Sequence, residues 1–221
     1  MSRVPDVLTT EHFADAELQV LARDGFVRRV GRWYCPAYLP DSPKLRAQTI
    51  YEDFSTEVIA DTFTAAWVYR CNPRLPDPLT GLIAPGARPS RARRRGRVRN
   101  ARIDPHDYAR LGGLAITTPA RTLIDLGRAV PQRGEPGYVL RELYRSKLIG
   151  SALAVTFRLN PVQLAQGLLH LHNVPHAKRA LAYLEDIVRI MRSIEAYSHA
   201  EKLAGLHAQL ANIPDRPLTG P

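Results

Sequence analysis

Cysteine is nearly missing: Cys35 and Cys71 are the only two in 221 residues, too few for a disulfide framework and set in no metal-ligand spacing. Reduced, partly buried thiols are the expectation. No apolar run reaches the roughly 18 residues that a membrane-spanning helix needs. The opening Met-Ser-Arg-Val-Pro-Asp lacks the apolar stretch of a secretion signal, so the sequence predicts a cytoplasmic protein with no membrane partner. Lysine is scarce too, supplying four of the 31 basic residues against 27 arginines. That bias follows from a GC-rich genome as readily as from phosphate recognition, and alone it selects no partner.

Catalytic constellations are also absent. There is no Gly-rich phosphate loop and no Ser, His and Asp grouping. Gly150-Ser151 resembles the start of a nucleotidyltransferase motif, but no Asp-x-Asp follows, and the pair reads as a helix break. Histidines concentrate at His170, His172 and His176, with His199 and His207 beyond. On a helix, positions 170 and 172 face different sides, and no carboxylate lies between the three. A metal-dependent nuclease needs an Asp followed by Glu-x-Lys on adjacent strands. After residue 160 the acids are Glu185, Asp186, Glu195, Glu201 and Asp215, none in such a spacing. The sequence therefore predicts no enzymatic activity, no cofactor and no metal.

What is present is positive charge. A net charge of +10 favours a polyanionic partner, nucleic acid first. Its clustering is more informative: from Arg88 to Arg102 there are eight arginines and no acid. Pro85, Gly86 and Pro89 mark a loop, and Val98 to Ile103 alternates as a strand. Residues 91 to 97 are then an exposed loop between strands, in which Arg93, Arg94, Arg95 and Arg97 either hold phosphate or are simply solvated.

The first 40 residues carry the clearest local pattern. Thr9 or Thr10 caps a short helix through Glu11, His12, Phe13 and Ala14. A second helix runs from about Asp15 to Asp24 with Leu18 and Leu21 inward, and Gly25 ends it. Phe26 to Val30, a Gly31-Arg32 turn and Trp33 to Cys35 then form a β-hairpin signature. Two short helices and a basic hairpin outline a winged helix-turn-helix, with Gln19 reaching a base edge and Arg23, Arg28, Arg29 and Arg32 facing phosphate. Solvated surface arginines are the competing reading, and Asp15, Glu17 and Asp24 would repel phosphate.

Beyond residue 40, Ser42 and Pro43 open a helix with Leu45, Thr49, Ile50 and Phe54 on one face. Residues 55 to 70 read as a further helix, Pro73, Pro76 and Pro78 as a loop, and Leu79 to Ala84 as a strand. Asp104 to Asp107 is a capped turn. Leu114, Ala115 and Ile116 form a strand, Thr117 or Thr118 caps, and Pro119 starts a helix whose Asp125 is expected to pair with Arg121 one turn earlier. Helices follow around Val139 to Leu148, from Asn160-Pro161, from Asn173-Pro175, and from about Ile194 to Leu210. The tail from residue 213 reads as disordered or extended.

The hairpin Asp24-Gly-Phe-Val-Arg-Arg-Val ending in Trp33-Tyr34, the stretch Thr118-Pro-Ala-Arg-Thr-Leu-Ile-Asp-Leu126 and the trailing helices together resemble the AbiEi family of antitoxins and transcriptional regulators, over about residues 5 to 190. The resemblance implies an α+β protein: a short winged helix-turn-helix over residues 1–40 and a mixed α/β antitoxin domain over 41–212, ending in several helices. It also implies operator DNA and a cognate AbiEii-like nucleotidyltransferase toxin as partners, in a repressor that controls its own toxin–antitoxin operon. An interaction module that neutralises a toxin without reading DNA is the alternative. Two departures are visible: the first helix expected before Val7 is missing or very short, and Asp61-Thr-Phe-Thr-Ala-Ala66 replaces the family's histidine-containing segment.

Overall fold

The computed structural model describes residues 5–54, 57–87, 96–129, 136–170, 175–193 and 199–212. The chain is α+β. Helix α1 (Asp15–Arg23) leads into a hairpin, β1 (Val27–Val30) paired antiparallel with β2 (Trp33–Pro36). Gly25 and Gly31 take φ of +82° and +62°, the left-handed values that let a helix end and a two-residue turn close. Residues 11–14 make a single turn rather than a helix: the amides of His12 and Phe13 both donate to the Thr9 carbonyl. The Thr9 hydroxyl bonds the His12 ring nitrogen at 3.1 Å, a local partner that competes with helix propagation.

Helix α2 (Pro43–Ile50) follows, with the Ser42 hydroxyl accepting from the Leu45 amide at 3.2 Å. A five-stranded sheet comes next, built from β3 (Val58–Ala60), β4 (Leu79–Ile83), β5 (Gly96–Arg99), β6 (Tyr108–Leu111) and β7 (Leu114–Thr117), in the order β5-β4-β3-β7-β6. The central β3 runs antiparallel to β4 and parallel to β7, and the edges are β5, parallel to β4, and β6, antiparallel to β7. The remaining helices are α3 (Thr62–Val68), α4 (Pro119–Ala129), α5 (Pro136–Thr156), α6 (Pro161–His170), α7 (Ala177–Ser193) and α8 (His199–Ala211). No helix among the described residues is long and apolar enough to cross a membrane.

The sheet has two unlike faces. Ala60, Leu114 and Ile116 join the main core with residues of α2, α3, α4, α5, α7 and α8. Ile59, Leu82 and Ala115, one residue out of phase and so on the opposite face, pack with Ile103, Ala84, Ala101 and Tyr108, a cluster that contains no helical residue. The N-terminal module has a small core of its own, Leu8, Leu18, Val27 and Tyr34. Its hairpin also presents Val30 and Cys35 to the main core. Both cysteines are fully buried and free.

Three further expectations are corrected. Val58 to Ala60 is a strand, not part of a helix: every residue in it is buried, so it shows the unbroken apolar run of a central strand, which periodicity cannot tell from a buried helix. The strand expected over Val98 to Ile103 lies at Gly96–Arg99 instead. Gly150-Ser151 breaks nothing and sits inside α5. A Cβ at Gly150 would run into the Tyr183 phenol and a Leu123 methyl, so this glycine sets the close approach of α5, α7 and α4. The tail from residue 213 lies outside the described residues.

Candidate functional site

The sequence-predicted arginines divide by what already holds them. Successive residues of a strand face opposite ways, so Arg28 shares the hairpin face of Val30, toward the main core, and Arg29 the other. Arg28 is half-buried and donates to the Leu39 carbonyl at 3.0 Å; Arg29 is exposed. Arg32, at the hairpin tip, lies 3.5 Å from both Asp53 and Asp77. The tip itself is docked, because a Cβ on Gly31 would stand 3.1 Å from the Trp67 ring and 3.4 Å from Leu75. Gln19 is exposed on α1 and donates to Asp15 at 2.7 Å. Arg23 is exposed and, among the described residues, pairs with the adjacent Asp24 at 3.1 Å. Arg97 is exposed on edge strand β5; Arg93, Arg94 and Arg95 lie outside the described residues.

A second grouping escaped sequence reasoning except for one pair. Arg121 Nε donates to Asp125 Oδ2 at 2.9 Å, as the one-turn spacing predicted. Around that pair the fold assembles Arg121 Nη1 with Asp107 at 2.5 Å, Arg128 Nη1 with Asp125 Oδ1 at 3.0 Å, and Arg99 Nη2 with Asp61 Oδ2 at 2.8 Å. Arg99 also lies 3.7 Å from Asp125, and the Arg102 carbonyl accepts from Arg121 at 3.2 Å. Three carboxylates thus face three guanidiniums, with Asp61 and Asp125 fully buried. Asp61 follows β3 and Asp125 lies on α4, so the network ties the β5 edge to the centre of the sheet and to the helix beneath it.

Electrostatics at Asp61 are decided by burial. Loss of water raises its pKa from an ordinary 3.8 to about 6, against the attraction of Arg99 and with help from the Asp125 charge. The short Asp61–Arg99 contact and the raised pKa agree once exposure is considered: Asp61 is 1% exposed but the Arg99 side chain 42%, so the cation keeps part of its water and cannot offset the desolvation of the acid. Burial works against the charge of Arg121 too, but Asp125 and Asp107 outweigh it and raise its pKa. At Arg128 burial wins and the pKa falls. Thr62, the first residue of α3, has φ of +41°, an outlier for a β-branched residue. Its hydroxyl is fixed by Asp61 at 3.1 Å and Thr80 at 2.8 Å.

An open cleft of about 380 Å³ lies elsewhere, where the N-terminal segment meets α2; Trp33, Tyr51, Asp6, Glu11, Glu52 and His12 are among its lining residues. None of the arginines above borders it. Comparison with family models, with curated proteins and with solved structures finds no match for the chain.

Proposed function

We propose that this protein acts by binding, as the DNA-binding antitoxin and autoregulator of a toxin–antitoxin operon, with a nucleotidyltransferase-type toxin as its counterpart. The observation that carries this reading is the distribution of arginine without acid. Arg29 and Arg97 are exposed and have no carboxylate partner among the described residues, and Arg97 belongs to the acid-free run from Arg88 to Arg102. Such groups bind phosphate at little desolvation cost and release its counterions. A helix packed on a hairpin about its own small core is compatible with a short winged module, with Gln19, Arg23 and Arg29 on its exposed surface. Arg28 and Arg32 are held by the body of the protein and serve the docking of the hairpin.

That docking favours a second reading, an interaction module that neutralises a partner without reading DNA. Its support is apolar exposure on the same module: Phe26 is 67% and Tyr38 76% exposed, both near the open end of the hairpin, where the Ala37 amide donates to the Phe26 carbonyl. Two assays on the full chain separate the readings. A retarded promoter fragment that Arg23→Gln with Arg29→Gln releases supports the regulator. Rescue of growth from the neighbouring toxin with no DNA retardation supports the interaction module, and failure of both assays refutes the antitoxin assignment.

A further inference from the structure

The sheet face that carries Ile59, Leu82 and Ala115 holds more arginine than its carboxylates use. Pairing fixes which residues share that face. Arg97 lies opposite Thr80 and Arg99 opposite Leu82, while Arg110 lies opposite Ala115. Leu82, Ala115, Ile59 and Tyr108 form one apolar cluster there with Ile103. Ile103 turns inward and is buried, so its neighbour Arg102 is exposed on the outer side of the same segment. Two of the acids close by are already paired, Asp61 with Arg99 and Asp107 with Arg121, while Asp104 caps the His106 amide at 2.9 Å and keeps its charge. Arg97, Arg102 and Arg110 are exposed and form no ion pair among the described residues. The guanidinium of Arg110 donates to the Gly113 carbonyl at 3.0 Å.

We propose that this face is a docking surface for the phosphate backbone of duplex DNA, with Arg97, Arg102 and Arg110 as the residues that meet it; the inference rests on the DNA-binding reading above. Charge complementarity names the occupant: three exposed guanidiniums without an ion pair among the described residues, in a chain of net charge +10, fit a dense row of anions. The dimensions fit as well. Arg97 and Arg110 sit on the two edge strands, four inter-strand steps apart, which is roughly 19 Å at about 4.8 Å per step. That exceeds the ~12 Å width of the major groove, so the two edges reach phosphates on opposite lips, and the exposed Arg102 adds a third cation. The Asp61–Arg99 contact holds the β5 edge in register for this span.

The test is the salt dependence of binding to a short mixed-sequence duplex, followed by fluorescence anisotropy of the full chain. Replacing Arg97, Arg102 and Arg110 together by Gln is expected to lower the slope of log K against log salt by about 2.7, or about 0.9 for each phosphate no longer neutralised. The corresponding Lys variants keep the slope, because phosphate accepts a point charge. Should the triple Gln variant fail to fold, each single variant still lowers the slope by about 0.9. A wild type that binds with a slope the variants do not change overturns the surface and leaves the DNA-binding reading standing. A wild type that binds no duplex overturns both. Variants that bind DNA normally but no longer rescue growth from the toxin assign the face to a protein and overturn the proposal.

Discussion

Neutralising Asp61 gives a pH signature that follows from burial alone. The acid is 1% exposed, and its pKa stands at about 6 in the folded chain against an ordinary 3.8. The folded state therefore binds the proton more tightly than the unfolded state, and stability contributed by this group rises as pH falls from above 6 toward 4. The gap is worth about 3 kcal/mol. In Asp61→Asn the titration is gone, so the stability advantage of the variant over wild type is expected to shrink by up to about 3 kcal/mol between pH 7 and pH 4. Urea denaturation of both proteins at four pH values reads this difference, and groups common to both cancel. A difference that stays flat, or grows as pH falls, would mean that Arg99 holds Asp61 at or below an ordinary carboxylate pKa and would refute the reasoning. Removing the cation instead has a bounded cost: in Arg99→Gln the buried Asp61 takes up a proton, at about 1.4 kcal/mol for each pH unit above its pKa of about 6, so the loss at pH 7 is expected to be about 1–2 kcal/mol.

Other elements yield simpler expectations. Gly150→Ala forces a methyl against the Tyr183 ring and a Leu123 methyl, and is expected to cost about 1–3 kcal/mol in urea denaturation; no loss would mean that α5 and α7 are not as close as described. Burial pushes both thiols, Cys35 and Cys71, up to about 11, so neither is expected to react with a thiol reagent at pH 8 until the chain is unfolded. Rapid labelling of the native protein would contradict the packing of the hairpin and of the α3 end. Arg121→Met removes the guanidinium shared by Asp107 and Asp125 and is expected to destabilise by about 3 kcal/mol or more, checked by thermal unfolding.

Local chemistry made part of the fold legible. Ser42-Pro43, Asn160-Pro161 and Gly25 mark helix ends through caps and backbone preferences, and each does so in the structure: the Asn160 side chain accepts from the amides of both Val162 and Gln163. The hairpin was readable because its turn glycine and its aromatic second strand are adjacent in sequence. Central strand β3 was not, since burial on both faces erases the alternation that identifies a strand. Edge strand β6 is not legible in the sequence: it is short and buries none of its residues fully. Gly150 reads as a break from sequence because its reason, the Tyr183 phenol, lies more than 30 residues away. The same distance effect governs the charged network. Asp125 and Arg121 are four apart and announce each other, whereas Asp61 and Arg99 meet only through the pairing of β3, β4 and β5. Of the predicted DNA-facing residues, Arg28 and Arg32 look alike to Arg29 in sequence, and only strand direction and the docked tip tell them apart.

The most direct measurement of the central claim is the affinity of the full chain for a duplex taken from the region upstream of its gene, as a function of salt. The proposed regulator binds that duplex, loses affinity steeply as salt rises, and prefers it to a scrambled duplex of equal length. Affinity that is absent at low salt, or equal for the two duplexes at every salt concentration, would contradict an operator-binding role.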